Sequence, residues 1–301
     1  RLKVTSSGLF VNGSSTALAG GVSDIDGLTD GYSDASSVGL GTGALANDDG
    51  TTNQNTAIGT SALTANTTGT KNTAAGYQSL TANTSGTYNT ASGYRALYST
   101  TSGYANTAIG SGALYTNTTG KQNTASGYNA LRNNTTGEKN TATGYSAMQS
   151  TTSGTSNTAI GSYVLRANTT GIKNVAIGEN ALKSNTTASN NTASGFYALK
   201  LNTTGTKNIG LGYLAGEGIT TGSNNTIIGQ YTGTTTLADT VVIAAGATER
   251  LKVDSTGLYV NGSTTALAGG ATSIDGLTDG VVTGGSVGLG SGALANDDGT
   301  S

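Results

Sequence analysis

An asparagine returns every 17 residues through most of this chain: Asn55, Asn72, Asn89, Asn106, Asn123, Asn140, Asn157, Asn174, Asn191, Asn208 and Asn225. No insertion disturbs the spacing. Taking each Asn as position 1 of a unit, position 5 is glycine, from Gly59 and Gly76 through Gly229. Position 9 is Leu63, Leu80, Leu97, Leu114, Leu131, Met148, Leu165, Leu182 and Leu199. The consensus reads N-T-A-x-G-x-x-A-L-x-x-N-T-T-G-x-x, and residues 37–54 form a preceding unit with one extra residue. Independent domains tolerate loop insertions, whereas stacked rungs must stay in register. Seventeen residues are too few for a helical hairpin repeat, and paired glycines with β-branched threonine weaken any helix. The expectation is an all-β fold, a β-solenoid of the parallel β-roll kind with one unit per rung. At ~4.8 Å per rung, about twelve units make a stack roughly 60 Å long.

A correlation inside the unit supports a strand at its start. Where position 4 is isoleucine (Ile58, Ile109, Ile160, Ile177, Ile228), position 6 is small or polar (Thr60, Ser111, Ser162, Glu179, Gln230). Where position 4 is small (Ala75, Ser92, Ser126, Thr143, Ser194), position 6 is aromatic (Tyr77, Tyr94, Tyr128, Tyr145, Phe196). Leu211 with Tyr213 departs from the rule. Residues two apart on a strand share a face, so this face takes one bulky group per rung. The opposite face carries Ala57, Ala74 and Ala91, with Leu supplying the main core side chain. Position 10 (Thr64, Tyr98, Arg132, Arg166, Lys183, Lys200) and Lys71, Lys139, Lys173 and Lys207 at position 17 read as exposed.

Composition narrows function. The chain has no His, Cys, Pro or Trp in 301 residues and a net charge of -2. Without His and Cys there is no imidazole base, thiol nucleophile, thiolate metal site or disulfide. Near-neutral charge argues against nucleic acid, which requires a basic stripe. No apolar run approaches the ~20 residues of a membrane helix. No enzyme activity and no cofactor are expected.

A longer repeat overlies the short one: residues 1–52 return as residues 250–301, with RLKVTSSGLFVNG becoming RLKVDSTGLYVNG. The division reads as a β-hairpin junction and linker over 1–36, the solenoid with an apolar closing rung over 37–246, a second junction over 247–285, and the start of another block over 286–301. The hairpin is expected to run from Leu251 to Val260 around a Ser-Thr-Gly turn. The natural chain is expected to extend beyond both ends.

The N-T-A-I-G-x-x-A-L element, over Ser37 to about Gln230, resembles the head repeat of trimeric autotransporter adhesins. The E-R-L-K-V-x-S-x-G-L-Y-V-N-G stretch at Glu249–Gly262 is similar to junctions of bacteriophage tail fibres. These resemblances imply a homotrimer of parallel β-rolls, located outside the cell on a virion or cell surface.

Several residues carry alternative readings. Asn66, Asn117 and Asn168 open Asn-x-Thr sequons, as do Asn83 (with Ser), Asn134, Asn185 and Asn202. They form either a glycan array or a corner ladder bonding neighbouring rungs, and Thr100 and Thr151 in the same place favour the ladder. Asp24, Asp26 and Asp30 are candidate calcium ligands. Ser273 replaces Asp24 in the second copy, which favours an Asx-type turn, also the reading for Asp48 and Asp49. The position-6 tyrosines serve either as a sugar platform or in packing. The expected function is a structural extracellular fibre, a tail fibre or adhesin shaft, that partners itself and presents a receptor- or glycan-binding tip lying outside this segment. The alternatives are a self-assembling filament or sheath, and an ice-binding surface built on Thr56, Thr73, Thr90 and Thr107.

Overall fold

The computed structural model describes residues 36–49 and 53–261, together with the backbone of six short outlying strands. Among the described residues every regular element is a β-strand. β1 (Lys3–Thr5) pairs antiparallel with β2 (Gly8–Phe10), and β3 (Gly31–Ser33) with β4 (Val38–Leu40). From β4 one parallel ladder runs through β5 (Thr56–Ile58), β6 (Thr73–Ala75), β7 (Thr90–Ser92), β8 (Thr107–Ile109), β9 (Thr124–Ser126) and β10 (Thr141–Thr143). It continues through β11 (Thr158–Ile160), β12 (Val175–Ile177), β13 (Thr192–Ser194), β14 (Ile209–Leu211), β15 (Thr226–Ile228) and β16 (Val241–Ala245). Register is in phase throughout, Thr141 opposite Thr158 and Ala142 opposite Ala159. The chain is a β-solenoid of about twelve turns, each rung one 17-residue unit except near the ends.

Backbone bonding between rungs extends beyond the three-residue strands. Ser61 N–H donates to Thr42 O of the preceding rung (2.9 Å), while Leu63 N–H donates to Ser79 O of the following one (3.0 Å). Each rung therefore satisfies its backbone through both neighbours, as a buried chain must. The close stacking needs position 5 to be glycine. Gly93 has φ +136°, and a Cβ there would lie 2.7 Å from the carbonyl carbon and oxygen of Gly110.

The interior is a column of small and medium side chains. Ala57, Ala74 and Ala91 at position 3, Ala62, Ala96 and Ala113 at position 8, and the position-9 leucines are fully buried. Those leucines adopt left-handed backbone, with φ of 52° at Leu63 and 47° at Leu165. That conformation costs roughly 1–2 kcal/mol for an L-residue. Burying a leucine contributes about 1.5–3 kcal/mol, so the inward position prevails.

Two asparagine columns lock the corners. Asn72 accepts on Oδ1 from the backbone N–H of Asn89 (3.0 Å) and donates from Nδ2 to Gly86 O of its own rung (2.8 Å). Asn83, at position 12, donates to the same Gly86 carbonyl (3.2 Å) and to Asn66 Oδ1 one rung below (2.8 Å). Both asparagines of a rung thus converge on its position-15 carbonyl, which explains the Asn-x-x-Gly spacing.

The ladder ends in antiparallel strands. β16 pairs with β17 (Thr248–Asp254), and β17 with β18 (Gly257–Val260) in the register Leu251–Val260 and Val253–Leu258. This hairpin covers the edge that an open parallel stack would present. β18 also pairs with β19 (Leu267–Ala268), and β20 (Gly280–Thr283) pairs with β21 (Ser286–Leu289). The 249-residue repeat is visible in pairing: Val4 opposes Leu9 as Val253 opposes Leu258, and Gly31 opposes Leu40 as Gly280 opposes Leu289.

Candidate functional site

Inward-pointing Ala at position 3 forces positions 2 and 4 of every strand outward. The resulting sheet face is a regular array of Thr and Ile. Toward the C-terminal end it becomes apolar: Ile160, Val175, Ile177, Ile209, Leu211, Ile228, Val241 and Ile243 are each 37–43% exposed. Position 6 continues the array. Tyr77 stacks on Tyr94 with ring centroids 5.5 Å apart, and Tyr128 on Tyr145 at 5.2 Å. All four rings remain about half exposed. The bulky group that each rung carries at position 4 or 6 is therefore an outer ridge of the single chain.

Position 10 forms a second column. Tyr98 stacks on Tyr115 (5.1 Å), and the Arg132 guanidinium lies 5.1 Å from the Tyr115 ring centroid. Most position-10 residues are half-buried, because each side chain rests on that of the next rung; Arg166 is exposed. Lys71, Lys139, Lys173 and Lys207 are exposed.

The position-1 asparagines from Asn55 to Asn225 and the position-9 leucines from Leu63 to Leu199 all stand in the buried columns. Asn66, Asn117 and Asn168, the candidate glycan sites, stand in the corner ladder. Their Nδ2 atoms, where a sugar would attach, donate to Gly69 O (3.0 Å), Gly120 O (3.1 Å) and Gly171 O (3.2 Å) inside fully buried corners. A folded rung has no room for a glycan there. Asp24, Asp26 and Asp30 lie outside the described residues. Asp48 and Asp49 accept from Asn53 Nδ2 (2.6 and 2.9 Å), bonds that close the first corner. Among the described residues no three carboxylates converge as a metal site would require.

Charge is sparse and local. Glu138 bonds Lys121 (3.1 Å) and raises its pKa. At the terminal hairpin, Lys252 (2.8 Å) and the Thr256 N–H (2.8 Å) hold the Asp254 carboxyl well below the usual carboxylate range. Burial pushes the Tyr231 phenol up.

No family model, curated protein or solved structure matches the chain.

Proposed function

We propose that this chain is the shaft of an extracellular structural fibre, in which copies lie side by side and space a binding tip away from a virion or cell surface. The observation that carries the reading is the pairing of an uninterrupted rigid stack with an outward, in-register apolar sheet face. A stack of about twelve rungs spans roughly 60 Å and has no inserted loop to bend it. The exposed Ile and Val array from Ile160 to Ile243, interrupted at Thr192 and Ser194, is an apolar face of the kind that marks association surfaces. Three copies, as the adhesin resemblance implies, would bury that face along a common axis. A filament built end to end from the same chain would join through the ends of the stack and have no attachment to a particle or cell.

Negative-stain imaging of the purified chain tests the shaft reading. Straight rods of uniform width support it. Flexible strings or round particles contradict it.

The Thr rank at position 2 supports a second reading as an ice-binding surface, since Thr107, Thr124, Thr141 and Thr158 face outward in consecutive rungs. Val175 and Ile209 interrupt it. Thermal hysteresis in a freezing assay would select this reading over the fibre.

A further inference from the structure

The stacked column at position 6 is interrupted at Ser111 by a single rung without a ring. Tyr77 and Tyr94 stack, Tyr128 and Tyr145 stack, and between the two pairs stands Ser111, followed at position 7 by Gly112. A second small position-6 residue, Ser162, leaves no such gap beside Tyr145, because Tyr163 at position 7 packs edge-on against that ring (5.1 Å). Gly112 supplies no side chain to do the same. Tyr94 and Tyr128 are two rungs apart, which separates their rings by roughly 10 Å. Offset-stacked rings prefer about half that spacing, so the interval is one ring deep.

The vacancy opens as a cleft of about 240 Å³. That is below the ~300–1,000 Å³ of pockets for drug-sized molecules, and suits one ring of a longer ligand. Its lateral wall is Tyr115 and Arg132. Arg95 lines the cleft with its guanidinium 5.1 Å from the Tyr94 ring centroid and 5.4 Å from that of Tyr98. Neither guanidinium has an ion-pair partner among the described residues. No carboxylate lines the cleft, while Asn129 and Gln149 add amide donors and acceptors.

We propose that this cleft binds one uronic acid unit of an acidic polysaccharide. The C–H faces of a pyranose ring meet the aromatic faces of Tyr94 and Tyr128. Arg95 Nε already donates to Gln78 Oε1 (2.8 Å) and Arg132 Nη1 to Asn133 Oδ1 (3.5 Å), and the sugar carboxylate takes charge-assisted hydrogen bonds from the remaining guanidinium N–H groups. The ring hydroxyls pair with Asn129, Gln149 and Ser111. A neutral sugar fills the same slot and leaves the guanidiniums unmatched; an aromatic side chain of a second copy leaves both the guanidiniums and the amides unmatched. The site lies within one chain and does not depend on self-association.

Titration calorimetry with hexamers of galacturonate and of mannuronate, against neutral maltohexaose, tests the assignment. At least one uronate hexamer is expected to bind, with maltohexaose about tenfold or more weaker. Ser111→Tyr completes the aromatic column and is expected to abolish binding without loss of fold, since Leu211 and Tyr213 already place a bulky pair in one rung. Arg132→Gln, which repeats the Gln149 side chain at the next position 10, is expected to weaken uronate binding roughly tenfold and spare maltohexaose. Failure of both uronate hexamers to bind overturns the proposal, as does undiminished binding by Ser111→Tyr. A native mass that falls on Ser111→Tyr also overturns it, because the slot would then receive a side chain of a second copy.

Discussion

Asn134 Nδ2 donates to Asn117 Oδ1 one rung away at 2.8 Å, but Asn134 Oδ1 receives nothing from the rung beyond. The reason is the residue that follows in the column. Thr151 occupies position 12 there, and its shorter side chain leaves its own Oγ1 without a partner as well. Asn83 Oδ1 is orphaned below Thr100, and Asn202 Oδ1 below Ile219, in the same way. Each is a buried polar atom left unpaired, which costs about 1–3 kcal/mol.

Thr151→Asn is therefore expected to stabilise the solenoid. The new amide reaches Asn134 Oδ1 and the Gly154 carbonyl, as its counterparts do in neighbouring rungs. A gain of about 1 kcal/mol or more is expected, read as a shift of the denaturant midpoint at constant slope. An unchanged or lower midpoint would show that the column does not carry the stability assigned to it.

Position 5 should not tolerate a side chain. Gly127 has φ +137°, and a Cβ there would sit 2.4 Å from the Gly144 carbonyl oxygen. Overpacking of about 1–3 kcal/mol adds to the left-handed backbone cost of about 1–2 kcal/mol in Gly127→Ala. Thermal unfolding should show a loss of roughly 2–5 kcal/mol, or failure to fold.

Position 17 offers the opposite case. Lys173 is exposed with φ 56°, while Asn190 and Asn224 hold the same place at φ 61°. Asn tolerates this region better than Lys. Lys173→Asn should raise stability by up to about 1 kcal/mol, measured by chemical denaturation.

The stack should be insensitive to pH near neutrality. The sequence has no His or Cys, and the solenoid interior is alanine, leucine and asparagine. Melting temperature is expected to be flat from about pH 5 to 8, where histidine would otherwise titrate. The terminal hairpin differs at low pH. Lys252 and Thr256 depress the folded pKa of Asp254, so its contribution is fully present above the ordinary carboxylate value of about 3.9 and is lost as pH falls through the folded value. Amide protection across residues 248–260, taken relative to intrinsic exchange at each pH, should fall in acid, and Asp254→Asn should remove that dependence.

Much of this fold is legible in the repeat itself. Stacked rungs impose the same backbone on equivalent residues, so any position with a special requirement recurs; the Gly93 and Asn72 columns show it. Left-handed Leu63 and Leu165 were not legible, because leucine carries no signal for that backbone and adopts it only because its burial outweighs the cost. The sequons at Asn66 and Asn117 were ambiguous in sequence, yet the glycine three residues on, at Gly69 and Gly120, was the sign of a corner. The Ser111 vacancy is visible only once the tyrosine rings are known to stack along the axis.

Light scattering of the purified 301-residue chain, beside an Ile177→Asp/Ile228→Asp variant, tests side-by-side assembly most directly. Both residues lie on the exposed strand face, where a buried charge in an interface would be costly. A native mass three times the 29.5 kDa chain, falling to one chain in the variant, is expected. A monomeric wild-type chain, or an oligomer that the two aspartates leave intact, would contradict a fibre assembled through this face.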